Sequence, residues 1–267
     1  MSNREQAIVT ITIGGLPITV RANDASFASI LNKRYAGYVS SGAEAPYLLE
    51  ADIVAAMRPA EEVELEVHRE GDEWLMDRGD FRARWNPRAR RGVVTQSANP
   101  YSIDSALRII HSLELAKVGG FLLHAASAIR GNRAFLLSGV SGAGKTTITR
   151  LAPSDAIRLT DEISYIRPVD GEYCAFGTPF SGELGVPGEN AVAPLAALYF
   201  LTQGLENRIA PMSRETAVSK LLRNILFFAH DEDLTSRVFR AACDFVESVE
   251  LAQLIFRPDP EVWSLMA

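Results

Sequence analysis

The stretch Ala134-Phe135-Leu136-Leu137-Ser138-Gly139-Val140-Ser141-Gly142-Ala143-Gly144-Lys145-Thr146-Thr147 decides how the rest of this chain is read. A short apolar strand runs into a glycine-rich octet, Gly139 to Thr146. A helix-compatible segment then continues to Leu151 and is closed by Pro153. The octet matches Gly-x-x-x-x-Gly-Lys-Thr at every fixed position, in the strand–loop–helix setting that a Walker A phosphate loop requires. Its glycines let backbone N–H groups turn inward around an anion. Lys145 brings a point charge for β- and γ-phosphates, Thr146 a hydroxyl for magnesium, and the helix start near Gly144 its positive dipole end. Gly139, Ser141, Gly142, Ala143, Gly144, Lys145, Thr146 and Thr147 are therefore expected to hold ATP with Mg2+. A plain glycine-rich turn, the bland alternative, rarely combines three glycines, Ser141 and both flanking elements.

Working outward, Phe121–Ile129 reads as a buried strand and Gly131-Asn132 as a two-residue turn. Antiparallel pairing across that turn sets residues whose numbers sum to 263 opposite one another, so His124 faces Gly139. A lone histidine in an apolar strand is ordinarily structural. This register instead puts it beside the phosphates, where it can orient a carboxylate or help accept a proton. Downstream, Asp161-Glu162 follows the short strand Ala156–Leu159. A carboxylate at such a strand end can hold magnesium or take the proton of an attacking hydroxyl. Adjacent strand residues face opposite sides, so one of the two can be structural. Transporter ATPases, GTPases and small kinases all share the loop. The guanine-reading Asn-Lys-x-Asp and a Leu-Ser-Gly-Gly-type transporter signature are both missing, which favours a kinase-like enzyme.

The stretch Phe121-Leu122-Leu123-His124-Ala125-Ala126-Ser127-Ala128-Ile129, followed by the loop Gly139 to Thr147, resembles the catalytic domain of HPr kinase/phosphorylase. It is most similar to the broader group of HPr-kinase-related proteins. The resemblance covers roughly 119–190, and weakly the region ending Phe256-Arg257-Pro258-Asp259-Pro260-Glu261-Val262-Trp263. It implies a catalytic set of Asp161, Glu162, His124 and Lys145, with the base drawn from the acidic pair. The reading favoured here pairs Asp161 with His124 and turns Glu162 toward metal and acceptor, with the reverse assignment open. The family pair is Asp-Asp, and Asp-Glu lengthens one arm. In the glycine-rich Gly177-Thr178-Pro179-Phe180-Ser181-Gly182-Glu183-Leu184-Gly185, the resemblance makes Glu183 a metal helper beside Thr146 and Glu162. The same segment departs from the signature by which HPr kinases recognise their protein partner.

The fold expected is α/β: a small α+β module over 1–100, then an HPr-kinase-like P-loop domain with a mixed sheet over 101–267. The function expected is transfer of the ATP γ-phosphoryl group to a hydroxyl, favouring serine on a peptide or protein. Relatives that phosphorylate ribosomally made peptides make a lasso-type precursor peptide one acceptor class, and the family's hexamers imply a homo-oligomer. A small-molecule kinase acting on free serine or a sugar, and a non-catalytic nucleotide-gated regulatory module, are the alternatives.

The remaining features bound this reading. The 267 residues are 47% hydrophobic and 22% charged, as in ordinary globular proteins, and a net charge of -6 argues against a nucleic-acid partner. Cys174 and Cys243 have no metal-type spacing and suit a reducing cytoplasm. Met1-Ser2-Asn3-Arg4-Glu5 leads into no apolar signal region, and no run approaches the roughly 18 apolar residues of a membrane span. In the first module, strands are expected at Ile8–Ile13 and Ile18–Ala22, around Gly14-Gly15. A helix over Ala25–Tyr38 is ended by the polar stretch 40–45, and a hairpin joins Val63–His68 to Glu73–Met76. The basic run Arg82–Arg91 reads as a solvated loop or strand edge, or else as a docking surface for an acidic or phosphorylated ligand. Further on, a helix is expected over Asp104–Val118. Strands follow at Ile163–Arg167, Tyr173–Phe176 and 192–203, and helices at 213–230 and 231–247. Phosphoryl transfer wants a cation beyond Lys145, for which Arg214, Lys220 and Arg223 are available; Arg257 and Trp263 read as packing or tail contacts.

Overall fold

The computed structural model describes residues 7–40, 45–59, 64–229 and 231–266. Met1–Glu5, the middle of the polar stretch 40–45 and Val63, each carrying an expectation above, lie outside the described residues. The chain is mixed α/β, with two large mixed sheets and few helices. It divides into two compact units, Met1–Glu114 with Phe227–Thr235, and Leu115–Leu226 with Ser236–Ala267. The division falls inside the helix Pro100–Lys117. An unbroken helix offers no change of composition to mark it.

In the first unit, β1 (Ala7–Ile13) and β2 (Leu16–Ala22) form a hairpin with Ala7 opposite Ala22. Gly14 and Gly15 turn it at φ 60° and 79°, the left-handed backbone that such a turn needs. Val9, Ile11 and Ile13 alternate inward, as do Ile18, Val20 and Ala22. α1 (Ala25–Arg34) starts on Asp24, whose carboxylate accepts the N–H groups of Ser26 and Phe27, and ends before Tyr38. The sheet is completed by β3 (Val39–Ser40), β4 (Tyr47–Ile53), β5 (Glu66–Glu70), β6 (Glu73–Asp77), β7 (Phe81–Asn86) and β8 (Arg91–Gln96), in the order β3-β1-β2-β4-β8-β7-β6-β5.

The basic run is thus a strand hairpin. Phe81, Ala83 and Trp85 point inward, while Arg82 and Arg84 point out and pair with Asp77 and Glu73. Arg88 pairs with Asp72, and the Arg90 guanidinium lies 5.2 Å from the Tyr47 ring centroid. Acids offset several of its arginines, so the run is a charge-paired face and not a bare cationic patch. α2 (Pro100–Lys117) starts earlier than its apolar stripe suggests, with Asn99 accepting the Tyr101 N–H at 3.0 Å.

The chain continues through β9 (Phe121–Arg130), β10 (Arg133–Ser138), α3 (Lys145–Arg150), β11 (Ile157–Thr160), β12 (Ile163–Val169), β13 (Glu172–Phe176), β14 (Val192–Gln203), β15 (Arg208–Pro211), α4 (Arg214–Asn224), α5 (Glu232–Ser248) and β16 (Glu250–Phe256), to a 3-10 turn over Pro260–Leu265. β9 and β10 pair from Arg130 opposite Arg133 to Ala125 opposite Ser138, the register expected from the turn. Gly131 and Asn132 both have positive φ, 55° and 65°.

β10 runs parallel to β14, with Ser138 beside Phe200, and β14 runs parallel to β16, with Gln203 beside Phe256. The pairings close a ring, β10–β9–β12–β13–β14 and back to β10. Under α3, Ile148 packs with Leu137, Leu201, Leu254, Phe256 and Trp263 in a fully apolar cluster. The Trp263 indole N–H donates to the Ile148 carbonyl at 2.9 Å, so that tail residue anchors the helix. α4 is shorter than the expected 213–230. Ile225 leaves the helix to bridge Leu123, and the Leu226 N–H donates to Leu122 O at 2.9 Å.

Candidate functional site

β10 ends at Ser138 and α3 begins at Lys145, so the glycine loop sits at the C-terminal ends of two parallel strands. Gly144 caps α3 at φ 103°, and a Cβ there would lie 2.5 Å from the Phe256 ring; the position requires glycine on both counts. Gly139 and Ala143 close the neck of the loop, where a Cβ on Gly139 would lie 2.6 Å from that of Ala143. The Ala143 N–H donates to Val140 O at 3.0 Å, and Lys145 Nζ folds back to donate to Gly139 O at 2.8 Å.

Above the loop lies a cleft of about 320 Å³, lined by His124, Ser141, Gly142, Gly144, Lys145, Thr146, Thr147, Asp161, Glu162, Glu183 and Gln203. The lining therefore holds every catalytic, phosphate-binding and metal-binding residue expected from sequence except Gly139 and Ala143.

Strand pairing explains the convergence. β11 and β12 both pair with β9, Thr160 beside Ser127 and Ile163 beside His124. The two residues that join these strands, Asp161 and Glu162, are thereby delivered next to His124. Thr160 Oγ1 accepts the N–H groups of Glu162 and Ile163, both at 3.2 Å, and holds this corner.

The two acids then part company. Asp161 is buried, and its two carboxylate oxygens accept the N–H groups of Gly182 and Leu184, each at 2.9 Å. It is committed to the 182–184 backbone and not to His124, as the favoured reading had it. Glu162 is the acid whose charge acts on His124 and on Lys145. A Cβ added to Gly182 would lie 1.9 Å from Glu162 Oε2, so the carboxylate lies against that bare backbone.

Burial lowers the His124 pKa; the Lys145 charge lowers it further and Glu162 opposes both. Burial and the Lys145 charge thus favour the neutral imidazole. Burial also lowers the Lys145 pKa, against the attraction of Glu162 and Glu183. Among the described residues no three His, Cys, Asp or Glu side chains form a metal cage by themselves. A magnesium ion held by Thr146, Glu162 or Glu183 would complete its shell with ligand phosphates and water, its usual habit. The fit is of that kind: hard oxygen donors around a glycine loop beside Lys145.

Arg214, Lys220 and Arg223 do not line the cleft, which leaves Lys145 as its lysine or arginine cation among the described residues. Lys220 Nζ instead lies 5.5 Å from the Phe200 ring centroid, and Arg257 pairs with Asp259 and Glu261. Sequence reasoning missed Gln203, whose Nε2 donates to Gly142 O at 2.7 Å. The available signal was a polar Thr202-Gln203 pair closing an apolar strand. In chemical terms the cleft can receive a polyanion beside a hard cation and place a carboxylate next to an imidazole. No helix of the described residues is long and apolar enough to cross a membrane.

No curated protein matches the chain. The family model described as SynChlorMet cassette protein ScmC matches residues 94–257, more than half of the chain and all of the cleft-lining residues. The chain belongs to the ScmC family of SynChlorMet cassette proteins.

Proposed function

We propose that this chain is an ATP-dependent phosphotransferase with an HPr-kinase-like P-loop domain, transferring the γ-phosphoryl group to a hydroxyl of a peptide or protein. Serine is the favoured acceptor, and a ribosomally made, lasso-type precursor peptide is one acceptor class. The observation that carries the reading is that Lys145 and Thr146 share one cleft with His124 and Glu162. Loop N–H groups and Lys145 hold the β- and γ-phosphates. Thr146 and Glu183 serve a magnesium ion, which when bound spreads the phosphate charge.

The acceptor hydroxyl gives its proton to Glu162 as its oxygen bonds to the γ-phosphorus. The bond from that phosphorus to the β–γ bridging oxygen breaks in line, and ADP leaves. Neutral His124 orients the Glu162 carboxylate. The acidic net charge and two unpaired cysteines fit a cytoplasmic enzyme without a nucleic-acid partner, and assembly as a homo-oligomer is part of the proposal.

The test is incubation with Mg2+ and γ-labelled ATP against a peptide library and free serine. Label is expected on peptide hydroxyls, and its transfer should be lost in Glu162→Gln and Lys145→Met. Transfer to free serine alone would favour the small-molecule reading. ATP binding with no transfer to any acceptor would favour a nucleotide-gated regulatory module.

A further inference from the structure

We infer that Gln203 is a positioning residue that ties the crown of the glycine loop to the neighbouring strand and so sets the shape in which the loop receives phosphate. The inference rests on the nucleotide reading of the cleft, to which it adds a residue that no motif contains. β10 is paired with β14 as far as Ser138 beside Phe200, and β14 runs on to Gln203, alongside the loop itself. There the Gln203 amide donates to Gly142 O at 2.7 Å.

The donor is held from both sides. Gln203 is the Cα partner of Phe256, and the following Gly204 N–H donates to Phe256 O at 2.9 Å. The preceding Thr202 hydroxyl accepts from Gln253 Nε2 at 2.8 Å. Phe256 is also the ring that lies under Gly144. One strand thus supports the loop from beneath while its neighbour holds the crown from the side.

The bond acts on a peptide with a choice of orientation. Gly142 has φ 78°, a conformation from which a glycine peptide can flip at little cost. A carbonyl turned into the cleft would oppose a phosphate oxygen. The Gln203 bond ties the Gly142 carbonyl to a β14 side chain and so fixes that peptide's orientation, while Lys145 Nζ holds the Gly139 carbonyl at 2.8 Å. The residue is solvent-exposed and lies outside the buried core, so its loss should alter the loop and not the stability of the fold.

The experiment compares the full chain with Gln203→Ala, Gln203→Asn and Gln203→Lys. Three quantities are read: melting temperature, MgATP affinity by calorimetry, and hydrogen exchange of the peptide spanning 139–145 without ligand. Loss of one exposed hydrogen bond predicts a roughly two- to tenfold weaker Kd in Gln203→Ala. It also predicts faster loop exchange and an unchanged melting temperature. Asn, one methylene short, should behave as Ala, whereas Lys, which still donates, should keep the loop exchange of wild type. Unaltered loop exchange in Gln203→Ala, or a fall in melting temperature that matches the loss of affinity, would overturn the assignment. If wild type binds no MgATP but Gln203→Ala still loosens the loop, the nucleotide reading fails and the latch stands.

Discussion

The Glu162 carboxylate occupies the space that a side chain at Gly182 would need, with Oε2 only 1.9 Å from where a Cβ would sit. Gly182 also donates its N–H to Asp161 at 2.9 Å, so one glycine meets both acids, one through its backbone and the other through its missing side chain. The two carboxylates are neighbours in sequence with separate duties, and substitutions should separate them.

Gly182→Ala should cost the fold little, because the nearest obstruction is the far end of a flexible side chain and only Glu162 Cβ, at 3.0 Å, must also give slightly. It should nevertheless push Glu162 out of place. Displacing a proton acceptor by about an ångström costs on the order of 100-fold in rate. A melting temperature within a few degrees of wild type with phosphoryl transfer down at least about tenfold is expected. Wild-type turnover in this variant would remove Glu162 from the chemistry.

Asp161→Ala and Glu162→Gln should fail in different ways. Removing Asp161 strands two N–H groups that a buried carboxylate now satisfies, at a cost of about 3 kcal/mol. Limited proteolysis should then cut within 177–190 faster than in wild type. Glu162→Gln is nearly isosteric and should keep the melting temperature while lowering kcat by about 10²- to 10⁴-fold, the range for a positioned acid or base. If both variants melt like wild type, the clamp role of Asp161 is wrong.

Gly144→Ala meets two obstacles together, a φ of 103° and the Phe256 ring 2.5 Å from the new methyl. The backbone strain alone costs about 1–3 kcal/mol. Trimming the ring in Gly144→Ala/Phe256→Leu should recover part of the lost stability, read by chemical denaturation, but not the backbone share. Full recovery would show that the left-handed conformation carries no cost there.

In the first unit, burial pushes the His111 pKa down to about 3. The unfolded chain takes up that proton near the ordinary 6.5 and the folded chain does not. Stability contributed by the neutral ring is therefore complete above pH 6.5 and declines as pH falls toward 3. Between pH 6.5 and 5, above the main carboxylate range, the slope from this residue approaches about 1.4 kcal/mol per pH unit. Urea denaturation of wild type and His111→Leu at pH 7, 6 and 5 isolates it. Parallel curves for the two proteins would sink the attribution.

Much of this was legible in the residues. The β9–β10 register follows from a two-residue turn, which leaves a hairpin no freedom to slip, and it sets His124 at the mouth of the loop. The loop itself carried its own spacing. What stayed hidden depended on partners distant in the chain. Asp161 meets Gly182 and Leu184 through a loop without periodicity, and neighbouring carboxylates look alike in a sequence.

Gln203 matters because β14 lies parallel to β10, a pairing that no local pattern announces. The basic stretch conceals its strand for another reason: its arginines alternate with Phe81, Ala83 and Trp85, and charge outweighs that short apolar pattern in a sequence. At α4 the expected helix ran past Asn224, because Ile225 finds a strand partner that outweighs its helical continuation.

β9 pairs with β10, β11 and β12 and takes the bridge from Ile225. The glycine loop, the acid corner and the histidine therefore all take their coordinates from the pleat of one ten-residue strand. A slip of that strand by one residue would turn His124 to the other face and shift the strands that lead to the loop and to the acids. Misfolded molecules should accordingly be wholly inert and not partly active. If the chain is the phosphotransferase proposed, a preparation's specific activity then counts the fraction of chains in which this one strand has found its place.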